Sequence, residues 1–335
     1  MQRSILIGIA AGLATAVVFL SATTGPMLMR AILFLLTPLP LFLAGLATGW
    51  VAAAAGGIAG TIAIALVTAP LVGVVFAASE AVPVVVLTYL VMLSRPASAP
   101  GPDVDPASGL EWYPIGRVVI WAAVLSAAMA MIAMLMLGPD LDTLRTAVRK
   151  LVDEWTKVWI EATGAAKEIG EPERQQLADV AMYILPGGVA LSWMMTALLN
   201  LWLAGRIVLA AGQLGRPWPD IAAMRYPRFA PLILAGASVA TLISGYPALF
   251  ASALSGAFYL AYVLMGLAVV HYLTRGQAWR PFALWALYAV LLVLNTGVSL
   301  VIALLGLADG FIPIRRGGPP PNLPGPPASP RPPST

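Results

Sequence analysis

One carboxylate in this chain stands where water is not expected. Glu80 lies near the middle of an apolar run, Leu71–Leu93, that contains no basic residue. An ionised carboxylate at the centre of a membrane helix costs about 3 kcal/mol even on the lenient insertion scale. Such a group is neutral, paired, or faces a wet cavity. Its chemistry is then a ligand contact or a proton or cation site. The structural alternative is a neutral acid hydrogen-bonded to a neighbouring helix, beside the helix-perturbing Pro83. Asn200 and Asn295 lie deep in two later apolar runs. They either share the depth of Glu80 in a polar cluster or bridge helices by hydrogen bonds. Tyr246, in the break Ser244-Gly245-Tyr246-Pro247, is the aromatic residue set to line a cavity. Arg206 and His271 sit at the ends of runs, where they can meet anionic head groups or simply anchor in the interface. Gly8 and Gly12, and Ala10 and Ala14, repeat at four-residue spacing on the first run. That spacing permits close helix packing, within the chain or against a partner helix.

Other chemistry is excluded by composition. There is no cysteine and one histidine, His271. Disulfides, thiolate metal sites, cysteine nucleophiles and multi-histidine centres are therefore absent. No G-x-S-x-G, H-E-x-x-H or phosphate-cradling loop occurs. The three lysines, Lys150, Lys157 and Lys167, all fall outside the apolar runs. No cofactor and no enzyme activity are expected. The net charge of +4, without a Lys/Arg-rich stretch, gives no reason for nucleic-acid binding.

The elements that must position Glu80 follow from hydropathy. Of the 335 residues 60% are hydrophobic and 10% charged, against about 25% charged in a soluble domain. The mean hydropathy is +0.88. The runs able to cross a hydrocarbon layer of about 30 Å are Ser4–Ala22, Ala31–Gly49, Trp50–Ala69, Leu71–Leu93, Val118–Leu137, Tyr183–Ala204, Phe229–Gly245, Pro247–Leu273 and Phe282–Leu307. The first is longer than a signal-peptide core and reads as a membrane helix. The expected fold is all-α: a polytopic transmembrane helical bundle of eight to nine spans with one amphipathic extramembrane helical segment. Its divisions are a four-span bundle (1–93), a loop (94–117), a fifth span (118–137), the amphipathic segment (138–181), a bundle of about four spans (182–308) and a proline-rich tail (309–335). In the amphipathic segment Leu141, Leu144, Val148, Leu151, Val152, Trp155 and Trp159 recur at helical spacing behind an N-cap candidate, Asp140. That helix is expected to lie on the membrane face or over the bundle. From Pro313 the tail holds ten prolines and is expected to be disordered with polyproline character.

Orientation is a close contest. With nine crossings, Arg3, Arg95, Arg117, Arg206, Arg216, Arg225, Arg228, Arg275 and Arg280 share one side, nine basic residues in all. The other side collects ten: Arg30, six in 138–181, and Arg315, Arg316 and Arg331. The six are offset by nine acids in the same segment, so the positive-inside rule favours a cytoplasmic amino terminus in a bacterial inner membrane. A break at Asn295-Thr296-Gly297 would make the last run re-entrant and return the tail to that side.

Several stretches resemble one bacterial family. They are Pro38-Leu39-Pro40-Leu41 leading to Gly49, Leu185-Pro186 with Asn200 and Arg206, Gly266-Leu267-Ala268-Val269-Val270-His271, and Leu305-Gly306-Leu307-Ala308-Asp309 with Arg315. In order and spacing they resemble the membrane-protein family of unknown function typified by YybS, over nearly the whole chain. In that family the loop after the fourth span is typically more basic than here, where it holds only Arg95 and Arg117. The first four spans are also distantly similar to the substrate-binding subunits of energy-coupling-factor vitamin transporters. The carriers are the small-residue first helix, the proline-bearing second and the glycines Gly49, Gly56, Gly57 and Gly60. That likeness implies a small-molecule ligand and a membrane coupling subunit that contacts the first helix. The expected partners are thus the lipid bilayer with a small molecule or coupling subunit. Two functions follow: a membrane-embedded binding or transport component, or an envelope structural or assembly factor that binds partners through 138–181.

Overall fold

The computed structural model describes residues 2–164, 170–293, 295–312 and 314–317. The helices in chain order are α1 (Gln2–Ser21), α2 (Met27–Leu36), α3 (Leu39–Thr48), α4 (Trp50–Val67), α5 (Pro70–Phe76), α6 (Val82–Met92), α7 (Ile115–Leu137), α8 (Leu141–Thr163), α9 (Glu171–Ala210), α10 (Ala230–Ala240), α11 (Tyr246–Leu273), α12 (Arg280–Val293) and α13 (Asn295–Phe311). A π-helical turn, Ala77–Ala81, joins α5 to α6. Among the described residues seven helical segments are long and apolar enough to cross a membrane: α1, α2–α3, α4, α5–α6, α7, α9 and α11. Their outward residues are apolar; Leu66 of α4 is 81% and Leu6 of α1 67% exposed. Hydrocarbon accepts such a surface and water does not.

Glycine sets the closest contacts. A Cβ on Gly8 would overlap the carbonyl of Ala52, one on Gly12 the carbonyl of Gly56, and one on Gly60 would come within 2.8 Å of the Gly12 oxygen. Each four-residue step along α1 meets a four-residue step along α4 in the same direction, so the two helices run parallel. Gly187 of α9 meets Gly256 of α11 in the same way, as does Gly266 of α11 with Ile302 of α13. Without a hydrophobic force between helices in lipid, dispersion at such approaches holds them together. The centre is filled by Phe42, Leu87, Val118, Met194 and Phe258, each at most 2% exposed.

Three segments depart from the sequence-based expectation. The run Phe229–Gly245 holds an eleven-residue helix, α10, about 16 Å long. The chain then turns through Gly245, which adopts φ +81° and lies beside Leu141. The last run is two helices. The Tyr288 hydroxyl on α12 meets His271 Nε2 at the end of α11 (2.8 Å). Ser299 on α13 meets Tyr259 (2.6 Å), and Gly306 lies against Tyr262 and Gly266. Therefore α13 runs parallel to α11 and α12 runs against both: the pair is a re-entrant hairpin that leaves by the end it entered. Finally, the expected loop 94–117 ends in the first turn of α7, from Ile115, and before it holds three short strands. They form a small antiparallel sheet, β1 (Ser94–Pro96), β3 (Leu110–Trp112) and β2 (Val104–Asp105) in that order, with Ser94 opposite Trp112 and an Arg95–Glu111 ion pair across β1 and β3 (2.7 Å).

The expected tail also begins later. Asp309–Phe311 belong to α13 and Ile314–Gly317 form a 3₁₀ turn. Arg315 is 4% exposed, because it is paired with Asp309 and donates to the carbonyl of Ala222 (2.8 Å). Residues 313 and 318–335, the bulk of the expected polyproline segment, lie outside the described residues.

The amphipathic helix α8 stands against the far end of α9. Leu144 and Val148 are buried with Met182 and Leu249, whereas Leu151, Trp155, Val158 and Trp159 remain exposed. Its single expected stripe is therefore used in two halves. Asp140 caps it, accepting from the backbone N–H groups of Asp142 (3.1 Å) and Thr143 (2.8 Å). Hydrogen bonds from the Thr143 backbone and then its side chain hold the Asp140 carboxyl below its usual value of 3.8. The folded carboxyl is thus the stronger acid, and its contribution is present above the ordinary carboxylate range and disappears as pH falls through the folded value. Asp140→Ala should raise amide hydrogen exchange in the first turn of α8 several-fold at neutral pH. The difference from the parent should shrink progressively as the pH falls below the ordinary carboxylate range.

Candidate functional site

Two helix breaks meet one uninterrupted helix around Glu80. The first is between α2 and α3. Pro38 has no N–H, so the helical ladder stops there. The carbonyl of Leu35, left short of a donor, accepts from Asn200 Nδ2 of α9 at 2.6 Å, and the same amide donates to the Thr196 carbonyl at 2.8 Å. Asn200 is therefore the interhelical bridge of the two readings its sequence position allowed, and it is fully buried. Its Oδ1 has no partner.

The second break is the π-helical turn. Pro83 cannot donate to the carbonyl of Ser79 four residues earlier, and its ring would collide with that carbonyl in an ordinary α-turn. The chain widens instead, and the Val82 N–H bonds to the Ala77 carbonyl five residues back. Such turns are frequent at functional positions. This one turns Glu80 inward, to 5% exposure. Glu80 lines a small cleft with Ser79, Pro83 and Val84 of its own span, Pro38 and Phe42 at the first break, and Trp193, Thr196 and Ala197 of α9. The free space holds about one water molecule. None of the ion pairs among the described residues involves Glu80. The Ser79 hydroxyl beside it is buried and bonds to no neighbouring helix. No group of three or more metal-ligating side chains exists among the described residues.

The other residues singled out in the sequence lie elsewhere. Tyr246 donates its hydroxyl to the Pro139 carbonyl (2.8 Å), tying α11 to the start of α8, and takes no part in the cleft. Asn295 opens α13, which packs on α11 and α12; its side chain lies outside the described residues. Arg206 stacks on Trp218, 5.1 Å from the ring centroid. His271 is engaged by Tyr288 and by Arg280 (3.5 Å), so it joins the hairpin to α11. Gly8 and Gly12 are consumed by α4 within the chain and cannot serve a partner helix, whereas Ala10 and Ala14 face outward.

Two arginines matter that residue type alone did not mark. Arg216 is 5% exposed and donates from Nη1 to the Val91 carbonyl (2.8 Å) and the Tyr113 carbonyl (3.3 Å), with its guanidinium over Trp112. Burial pulls its pKa down to about 10, against the opposing charge of Asp103. It pins the loop after α9 to the ends of α6 and β3. Arg315 does the same for the end of α13. Trp193, Thr196 and Ala197 were legible in principle, since with Asn200 they recur at three- and four-residue steps on one face.

A bundle of apolar helices around one unpaired carboxyl, with polar loops only at its two ends, is the architecture of a multi-span membrane protein. The chain belongs to the family described as predicted membrane protein (DUF2232), which it matches over residues 13–310. The resemblance to a membrane family without assigned activity therefore holds over nearly the whole chain. The likeness to vitamin-transporter subunits is not shown. No curated protein and no solved structure matches the chain.

Proposed function

We propose that this protein is a transport or binding component of the bacterial inner membrane that works at Glu80. The observation that carries the reading is the lone carboxyl held in a water-sized cleft where a π-turn and a proline break face each other. Discontinuous helices at mid-membrane are the usual setting of transporter sites, and an intramembrane acid is costly to keep without a use. The size of the cleft supports a small occupant there rather than a vitamin. A coupling subunit, if one serves this chain, finds Ala10 and Ala14 on the first helix.

The re-entrant hairpin supports an orientation. It brings Arg315 and Arg316 to the end that holds Arg216, Arg275 and the β-sheet, leaving Arg30 and the basic residues of 138–181 at the other. The basic excess then lies at the end of Arg3, which favours that end as cytoplasmic.

The test uses Glu80→Gln and Glu80→Ala, with abundance and growth phenotype followed together. We expect both variants to accumulate within twofold of the parent and to lose the deletion-complementing phenotype. Loss of abundance in step with phenotype would reduce Glu80 to a packing residue and end this reading. The assembly-factor reading is favoured by one observation, the exposed Leu151, Trp155, Val158 and Trp159 beyond the start of α9. Removal of 138–181 that abolishes the phenotype while Glu80→Gln leaves it intact would decide for that reading.

A further inference from the structure

We propose that the ligand of Glu80 is a proton: the carboxyl takes up one proton from a water molecule seated against Ser79 and returns it by the same route. The proposal rests on the preceding reading of the cleft as the working site and names what it binds. In the step, a hydronium-like water donates its proton to a Glu80 carboxylate oxygen, leaving neutral water and a neutral carboxylic acid. Release is the reverse, and no other reactant is needed.

The surroundings of the carboxyl select the proton among cations. A resident basic side chain would neutralise Glu80 permanently, but none is in place. Pro38 and Phe42 from the α2–α3 break, and Trp193, Thr196 and Ala197 from α9, bring no titratable or charged group. Its own span brings Ser79, Pro83 and Val84. The sequences of α4 and α5, the other helices packed on the π-turn, contain no charged or titratable residue at all. The counter-charge must therefore arrive from outside. A metal ion needs about six oxygen ligands in its shell. The side chains lining this cleft offer the carboxylate and the hydroxyls of Ser79 and Thr196, with room for about one water. A proton needs one oxygen and one donor. The Ser79 hydroxyl, buried beside the carboxyl and bonded to no neighbouring helix, supplies the polar contact that a donor water requires in an otherwise apolar wall. The π-turn adds to this, because Pro83 leaves the Ser79 carbonyl without its usual helical donor.

The experiment is infrared difference spectroscopy of the full chain in lipid nanodiscs, stepped between about pH 4 and pH 10, in H₂O and D₂O. The parent, Glu80→Gln and Glu80→Asp are compared. We expect a protonated-carboxyl band in the parent that grows as pH falls and shifts in D₂O. The band should be absent from Glu80→Gln and return at an altered position in Glu80→Asp. Should Glu80→Gln fail to fold, the altered band of Glu80→Asp carries the assignment. Identical spectra for all three proteins, or a carboxyl band that neither titrates nor exchanges with D₂O, would overturn the proposal. So would a midpoint that moves when sodium chloride replaces choline chloride, since a metal ion would then compete for the carboxylate. A titrating Glu80 with an unaffected growth phenotype would refute the functional reading and leave the proton site standing. A carboxyl that does not titrate, with a lost phenotype, would do the opposite.

Discussion

Gly12→Val is expected to prevent α1 from docking on α4. A Cβ at position 12 would collide with the backbone carbonyl of Gly56, and its nearest neighbours are all backbone atoms of that residue. A side chain can rotate away from an intruder; a carbonyl held in a helical ladder cannot without moving its helix. Ordinary overpacking costs about 1–3 kcal/mol, and a backbone collision belongs at or above the top of that range. The apparent melting temperature of the detergent-purified protein should fall by about 10 °C or the folded fraction should be lost. Fluorescence-detected size-exclusion chromatography after a heat step measures either. Ala10→Val is the control, because Ala10 faces outward on the same helix. Equal loss from both substitutions would show that α1 tolerates no added volume anywhere. Equal tolerance of both would show that the approach to α4 is not as close as described.

Arg315→Met should be the second most damaging change. The Arg315 guanidinium grips Asp309 through Nε (3.1 and 3.0 Å) and Nη2 (2.5 Å), and both side chains are almost wholly buried. Nη1 also donates to the Ala222 carbonyl. Removing the arginine leaves a carboxylate without counter-charge, a loss of about 3–5 kcal/mol. The double variant Arg315→Met, Asp309→Leu should recover much of this, because a buried pair contributes little over apolar residues of similar volume. Thermal melts of the parent, single and double variants provide the check. If the single variant is no worse than the double, Asp309 has found water and the 3₁₀ turn is not a lock.

How far the sequence could be read depended on how far apart the partners lie. The spans were visible because each writes its own hydropathy, and Glu80 stood out because an acid in such a run has no local excuse. The start of α8 was legible for the same reason: Asp140 and the stripe behind it are neighbours. The halving of that stripe was not, since the burial of Leu144 and Val148 is decided by Met182 and Leu249. Hydropathy also could not separate α12 from α13, because both halves of a re-entrant hairpin are as apolar as a crossing helix. Only the polar Asn295-Thr296-Gly297 marked the fold point. Asn200 was recognised as either cluster member or bridge, but its partner Leu35 is 165 positions away. Arg216 reads as one more interfacial arginine until Val91, 125 positions distant, comes to meet it. Tyr246 misled for a related cause: the break around it faces the α7–α8 junction and not the middle of the bundle.

The return of α13 to its point of departure has a practical reach. Among the described residues both chain ends share one surface, so epitopes placed near residue 3 and near residue 317 would be shielded or cut together when a protease is offered to sealed vesicles. A protease on the opposite surface would meet chiefly α8 and the first turns of α9. Such digestion would release fragments of α8 and of the start of α9 while both epitopes stayed with the vesicle.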